Sequence, residues 1–412
     1  MNKKWIGTQI VLNNNPNMAD NLKKTLTKAK EILDLDALIV WSDMDKKFFD
    51  LIKDICGEFK IKTYLWYPVL ADTPGFKIEQ EQAVKTFDGL RGHGKLGCWE
   101  KMGKGEEDFL FLCPNDEENI NKIFNRYGIK IKESGFDGVF LDRIRFPSPS
   151  NGFEALFSCF CTFCKDKFYH DFGEDLDVYQ NRIKSLFAKI KTMDSNYMEN
   201  CHSFFEIILQ DDLKKFYDFR KQSVYRMVKM FADKAKQMNK LVGIDLFAPS
   251  FASLVSQDYK LLAKTCDWIK PMIYCHTSSP AGIPLELYSF LRAILEINPV
   301  LNENELMCKA SPLTGVALPV NLDKLLINGI SEYMICSEME KIKEFDLPES
   351  VNIYVGLEAV QIPGLCNITE KILKKYLKSV IEADTKGIIL SWDLLKIPEE
   401  NLKIVGEFLS KQ

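Results

Sequence analysis

The stretch GFDGVFLDRIRFPS, Gly135 to Ser148, climbs through apolar residues and then sets Asp142, Arg143 and Arg145 in quick succession before Pro147. Three other apolar runs also close on a carboxylate: Asp245 in LVGIDLFA, Glu358 in NIYVGLEAV and Asp393 in GIILSWDLL. A carboxylate drawn out of water has to be paired, hydrogen-bonded or neutralised. Several aimed at one crevice have their pKa values pushed apart, which lets an acid and a base coexist at neutral pH. Such a set supports proton transfer by one carboxyl coupled to attack by another, or by water. A structural use competes with it, in which Asp142 ion-pairs with Arg143 or Arg145 and shapes the loop.

For that chemistry the four carboxylates must share one end of one fold. Eight near-continuously apolar runs, at 5–12, 37–42, 62–70, 138–146, 241–248, 268–275, 352–360 and 387–395, alternate with amphipathic segments. Continuous apolarity marks strands buried on both faces, and the alternation gives a parallel sheet wrapped by helices. Eight such units predict an α/β fold closed as a (β/α)8 TIM barrel, where strand ends and βα loops build the working face. The run LMCKASPL, 306–313, reads as a ninth strand or as part of an inserted loop. Two connections, about 71–115 and 147–203, exceed a minimal barrel. Loops of that length are usually functional, and both follow strands, so both rise over the C-terminal face. With no internal repeat, low-complexity tract or linker, residues 1–412 read as a single decorated barrel.

Composition fits this picture. A chain that is 46% hydrophobic and 27% charged can bury a large core and is not a disordered one. Its 54 basic and 58 acidic side chains are interspersed, for a net charge of -4, so no electrostatic footprint for nucleic acid or an anionic membrane is visible. In MNKKWIGTQIVLNNN the apolar octet is interrupted by Thr8 and Gln9 and no small-residue cleavage site follows, which reads as a first strand rather than a signal peptide. Most of the twelve cysteines sit singly inside apolar runs, as do Cys56, Cys266 and Cys336. That pattern predicts reduced thiols in a cytoplasmic protein, not a disulfide framework.

FDGVFLDRIRFP resembles the strand FDGI-x-LD-x-(I/V)-R-(F/Y)-P shared by a broad group of TIM-barrel glycoside hydrolases. CFCTFCKDKF resembles the C-x-C-x-x-C segment that follows the fourth strand in some of them and in family 42 β-galactosidases. The resemblance is dense over residues 135–170, while WIKPMIY, GLEAVQIPG and GIILSWDLL match the style of barrel strands six, seven and eight. It implies a carbohydrate substrate and hydrolysis by two carboxylates, one protonating the leaving oxygen and the other attacking the anomeric carbon or activating water. In family 42 an Asn-Glu pair on the fourth strand supplies the acid and a Glu on the seventh the nucleophile. Here Leu141-Asp142 stands in place of Asn-Glu, and Glu358 matches the seventh-strand position. In other barrel clans the fourth-strand Asp is itself the nucleophile.

Asp142 and Glu358 are the expected catalytic pair, with Asp245 and Asp393 in reserve. Arg145 and Tyr274 would orient substrate or tune the carboxyls, His276 would touch substrate after strand six, and the flat rings of Trp66 and Trp392 would stack on a sugar. The alternative is a non-catalytic carbohydrate-binding barrel. A lyase or isomerase built on a divalent metal is a third reading, but the strand ends lack the histidines such sites recruit. No cofactor is expected for catalysis.

Cys159, Cys161 and Cys164 form C-x-C-x-x-C, and thiolates this close in a reduced compartment point to zinc, which needs a fourth ligand. Cys113 is the first candidate, since family 42 also draws its fourth cysteine from upstream of the fourth strand; Cys98 and His170 are the others. An all-cysteine site is closed and therefore structural, stapling the long loops rather than activating water. Three free thiols packed in a loop core are the alternative. GHGKLG, 92–97, matches G-x-G-x-x-G but opens no amphipathic helix, so it predicts no dinucleotide site. Neither G-x-x-x-x-G-K-[ST] nor G-x-S-x-G occurs. His93, His170 and His202 read as surface or packing residues.

Overall fold

The structure is a computed structural model that describes residues 3–12, 18–99, 107–194, 197, 201, 203–314 and 317–410. Eight parallel strands close a barrel: β1 (Trp5–Ile10), β2 (Ala37–Trp41), β3 (Lys62–Pro68), β4 (Gly138–Asp142), β5 (Leu241–Phe247), β6 (Trp268–Met272), β7 (Asn352–Glu358) and β10 (Gly387–Ser391). Between the last two, β8 (Gln361–Ile362) and β9 (Cys366–Asn367) form a small antiparallel hairpin. The chain is a (β/α)8 TIM barrel. Each strand stops short of the apolar run that announced it, because residues such as Phe146 and Leu394 stay buried after the chain has left the sheet. The run 306–313 is no ninth strand. It lies in the helix Glu303–Thr314, which buries Leu306, Met307 and Ala310 on one face.

Local signals explain how each strand is delivered. The helix Glu117–Ser134 starts where the Asp116 side chain accepts the Asn119 amide, carries Glu117 and Glu118 in its first turn, and ends at Gly135 in the left-handed region. Three residues later, at Gly138, β4 begins.

The barrel interior is layered. At its base Trp5 stacks on Tyr354 with ring centroids 4.0 Å apart, and Trp268 stacks on Phe140 at 5.1 Å. Rings that large need space from the neighbouring strand, and Gly243 supplies it: a Cβ there would lie 2.1 Å from the Trp268 ring. One layer up, a Cβ at Gly356 would lie 2.7 Å from Cε of Lys270, so that glycine admits a lysine to the barrel interior. Above this layer the lining turns polar.

Two of the long connections are laced together over the C-terminal face. Gly94 donates to the Asn151 carbonyl and Cys98 to the Ser150 carbonyl. A Cβ at Gly94 would meet the Glu154 carboxylate at 2.6 Å and one at Gly97 the Asn151 backbone at 3.2 Å, so these two glycines of GHGKLG serve this close approach. A third excursion, between β6 and β7, carries four helices including Ile283–Ile297 and Met334–Glu344. Among the described residues no helix is long and apolar enough to cross a membrane.

Candidate active site

β4 ends at Asp142 because Arg143 adopts φ +52, a left-handed turn that a non-glycine residue holds only against a cost of order 1 kcal/mol. The turn brings the Arg143 amide onto Asp142 Oδ1 at 2.5 Å, while Trp66 Nε1 on the adjacent strand donates to Oδ2 at 2.9 Å.

On β5 and β6 Asp245 and Lys270 are cross-strand neighbours, both buried. Lys270 Nζ donates to Asp245 Oδ2 and to Gln9 Oε1, each at 3.0 Å. The chain of contacts continues: Tyr274 donates to Ser391 Oγ at 2.8 Å, and Ser391 Oγ donates to Gln9 Oε1 at 3.0 Å. Asp245 Oδ1 has no hydrogen-bond partner among the described residues. Burial is the largest influence on this carboxyl and pushes it up to about 7; Lys270 opposes that rise and the charge of Asp142 adds to it.

Asp142 and Asp245 line one cavity of about 100 Å³, together with Trp66, Arg145, Tyr274 and Trp392. Six residues singled out in the sequence are thus brought together. The same cavity holds Gln9, Lys270 and Glu107, which sequence reasoning missed, and Arg143, which it weighed only as a partner of Asp142. Lys270 and Gln9 had left a trace, as polar residues inside apolar strands; Glu107 had not. Glu107 comes from the 71–115 loop and accepts Arg143 Nη2 at 2.9 Å, while Asp72 pairs with Arg143 Nη1. Arg145 is held between Phe111 and Phe247, 4.4 and 4.5 Å from the two ring centroids. Burial lowers its pKa to about 10, and Glu286 and Asp142 work against that, so the guanidinium stays charged beside the carboxylates.

Glu358, His276 and Asp393 are not brought to this cavity. Glu358 is wholly buried and accepts four bonds, from the backbone amides of Cys275, His276 and Thr277 at 3.1, 2.8 and 2.9 Å and from the Tyr376 hydroxyl at 2.7 Å. It anchors the loop after β6 to the end of β7. His276 shares the Tyr376 hydroxyl at 2.7 Å and lines a separate, open groove of about 1380 Å³ with Gln361, Lys371 and Lys375. Leu365, at the turn of the β8–β9 hairpin, lies between the two and lines both. Asp393 accepts the amides of Val11 and Leu395, tying the loop after β10 to the end of β1.

Away from the cavity, Cys113, Cys159, Cys161 and Cys164 are all buried, with sulfur atoms within 4.8 Å of one another. Cys113 lies 3.4 Å from Cys164 and 3.6 Å from Cys161. Sulfurs about 2.3 Å from a tetrahedral ion lie roughly 3.8 Å apart, so the cluster has the donors and the dimensions to bind a metal. The Lys85 amide donates to Cys159 Sγ at 3.2 Å, the Asn115 amide to Cys113 Sγ at 3.4 Å, and Asn115 Nδ2 to Cys164 Sγ at 3.3 Å. N–H···S bonds of this kind orient sulfur ligands at a metal site. Cys98 and His170, the other candidate ligands, are not in the cluster, and His170 is exposed and bonded to Asp171 at 3.2 Å. His202 lies outside the described residues.

No family model matches the chain. No curated protein matches it either. Solved structures do. The glycoside hydrolase domain of PgaB (BpsB) from Bordetella bronchiseptica is similar with a TM-score of 0.54 at 13% identity, covering 98% of this chain and 99% of that one. The catalytic domain of β-amylase from Paenibacillus polymyxa is similar with a TM-score of 0.55 at 10% identity, over 99% and 98% of the two chains. A β-galactosidase from the psychrophilic Marinomonas ef1 is similar with a TM-score of 0.56 at 9% identity, over 98% of this chain and 59% of that one. At these identities the likeness is one of fold: this chain shares the barrel on which those glycoside hydrolases are built.

Proposed function

We propose that the protein is a glycoside hydrolase whose working carboxylates are Asp142 and Asp245. One observation carries the reading: two acidic side chains from adjacent strands line one cavity, Asp142 bonded on both oxygens by N–H donors and Asp245 buried with one oxygen unbonded. Asp142 receives two N–H donors, one on each oxygen. Asp245 is pushed up to about 7 by burial, with an oxygen left unbonded, and retains a proton for delivery near neutral pH. Asp245 protonates the glycosidic oxygen as its bond to the anomeric carbon breaks. Asp142 then either bonds to that carbon or takes a proton from the water that does. Arg145 and Lys270 offset the charge shared by the two carboxylates, and Trp66, Tyr274 and Trp392 offer flat faces to a sugar. The fold shared with known glycoside hydrolases supports the class and names no substrate.

Turnover of a panel of aryl glycosides by wild type and Asp142→Asn tests this. The substitution should lower kcat by roughly 10²- to 10⁴-fold with little change in melting temperature. A large fall in melting temperature at unchanged kcat would make Asp142 a structural residue. Glycan binding without hydrolysis or pH-dependent activity in the wild type would favour a non-catalytic binding barrel.

We also propose that the four-cysteine cluster holds structural zinc, which when bound would join the loop of Cys113 to that of Cys159, Cys161 and Cys164. The all-sulfur donor set, the burial and the N–H···S bonds support this.

A further inference from the structure

The helix Lys214–Gln237 carries the largest fully buried side chain of the described residues, Arg220. Its Nη1 donates to the Leu156 carbonyl at 2.6 Å, and its guanidinium lies 4.4 Å from the Phe146 ring centroid and 5.4 Å from that of Phe216. Nε and Nη2 have no hydrogen-bond partner among the described residues, and no carboxylate among them ion-pairs with it. An isolated buried cation with idle donors is strongly disfavoured, so this charge requires an anion nearby.

The surroundings supply one candidate. Leu156 lies in the short helical turn Glu154–Phe157, three residues before Cys159. Phe216 stacks at 5.5 Å on Phe160, which sits between Cys159 and Cys161. One turn further along the same helix, Ser223 Oγ accepts from Asn115 Nδ2, the group that also donates to Cys164. Burial lowers the Arg220 pKa, and Tyr217, Cys159 and Cys164 oppose this. Tyr217 is kept protonated by its own burial and donates to the Ile208 carbonyl, which leaves the cluster, anionic once its sulfurs bind a metal, as the counter-charge.

We propose that Arg220 is the internal counter-cation of a metal tetrathiolate formed by Cys113, Cys159, Cys161 and Cys164. Four thiolates around a divalent ion carry a net charge of about -2, which one guanidinium and the surrounding N–H dipoles offset. Four protonated thiols carry none and leave Arg220 stranded. The buried charges therefore balance only when the cluster is loaded, so Arg220 is a positioning residue that favours the metal-bound state. The proposal rests on the metal reading, and the test separates the two.

Metal content is measured by mass spectrometry, and release to a chromogenic chelator is timed, for wild type, Arg220→Lys, Arg220→Gln and Arg220→Met. Wild type should carry one divalent ion per chain and, refolded with cobalt(II), show thiolate-to-metal charge-transfer absorption. Arg220→Lys should keep the metal, while the two neutral variants should release it roughly 10- to 100-fold faster. Wild-type release rates in the neutral variants would overturn the role of Arg220 and leave the metal reading standing. Wild type that neither carries nor takes up a metal would overturn both. Failure of the charge-retaining Arg220→Lys to fold, even with metal supplied, would assign Arg220 to packing and overturn the proposal.

Discussion

Asp245 and Glu358 both sit near the C-terminal ends of barrel strands, and both are buried. Their surroundings differ completely. Glu358 accepts four hydrogen bonds, three of them from consecutive backbone amides, and has no capacity left for a ligand. Asp245 shares one oxygen with Lys270, leaves the other unbonded and lines a cavity with a second carboxylate. Place in the strand is therefore a poor guide to function by itself. What separates a working carboxylate from an anchoring one is whether its lone pairs are already committed.

The largest expected effect on activity is at Asp245. Asp245→Asn keeps an acceptor for Lys270 but cannot deliver a proton, so kcat/KM should fall roughly 10²- to 10⁴-fold while the unfolding midpoint changes little. Glu358→Gln should reverse the pattern. Its amide cannot accept all four donors, and chemical denaturation should show a loss on the order of 2–3 kcal/mol. A Glu358→Gln protein with wild-type stability and no turnover would break the distinction between the two sites.

The pH dependence sharpens it. If Asp245 donates the proton, kcat/KM should fall as pH rises through about 7, and Lys270→Met should move that limb to higher pH, because Lys270 now holds the carboxyl down. Stability has the same sign. The native state keeps the Asp245 proton that an unfolded chain gives up near 3.8, so this contribution is present at low pH and is lost between about 4 and 7. Urea titrations of wild type and Asp245→Asn across that window would measure it. The smallest effect is at Trp392, where loss of a stacking face should raise KM by about 2- to 10-fold at unchanged kcat.

The barrel was legible because strands buried on both faces leave continuous apolar runs, and all eight runs correspond to strands. LMCKASPL was ambiguous because Leu306, Met307 and Ala310 fit a short strand as well as a helix face. Within the site, Asp142, Arg145, Trp66, Tyr274 and Trp392 could be located by strand counting, and Asp245 with them as a reserve. The crowding that admits Lys270 opposite Gly356 could not, since it depends on register between strands distant in sequence. Glu358 looked catalytic because its true partners, the Cys275 to Thr277 amides and Tyr376, are fixed by loop geometry rather than by pattern.

Cys113 comes from one of the two longest early connections and Cys159, Cys161 and Cys164 from the other, and the first of these also supplies Glu107 to the cavity. These two stretches, already laced by the Gly94–Asn151 and Cys98–Ser150 bonds, are thereby tied at a further place into one cooperative unit. Hydrogen exchange should see both stretches open together. If the four sulfurs hold a metal as proposed, an oxidant or chelator acting on them would then loosen a wall of the proposed site that neither of them touches.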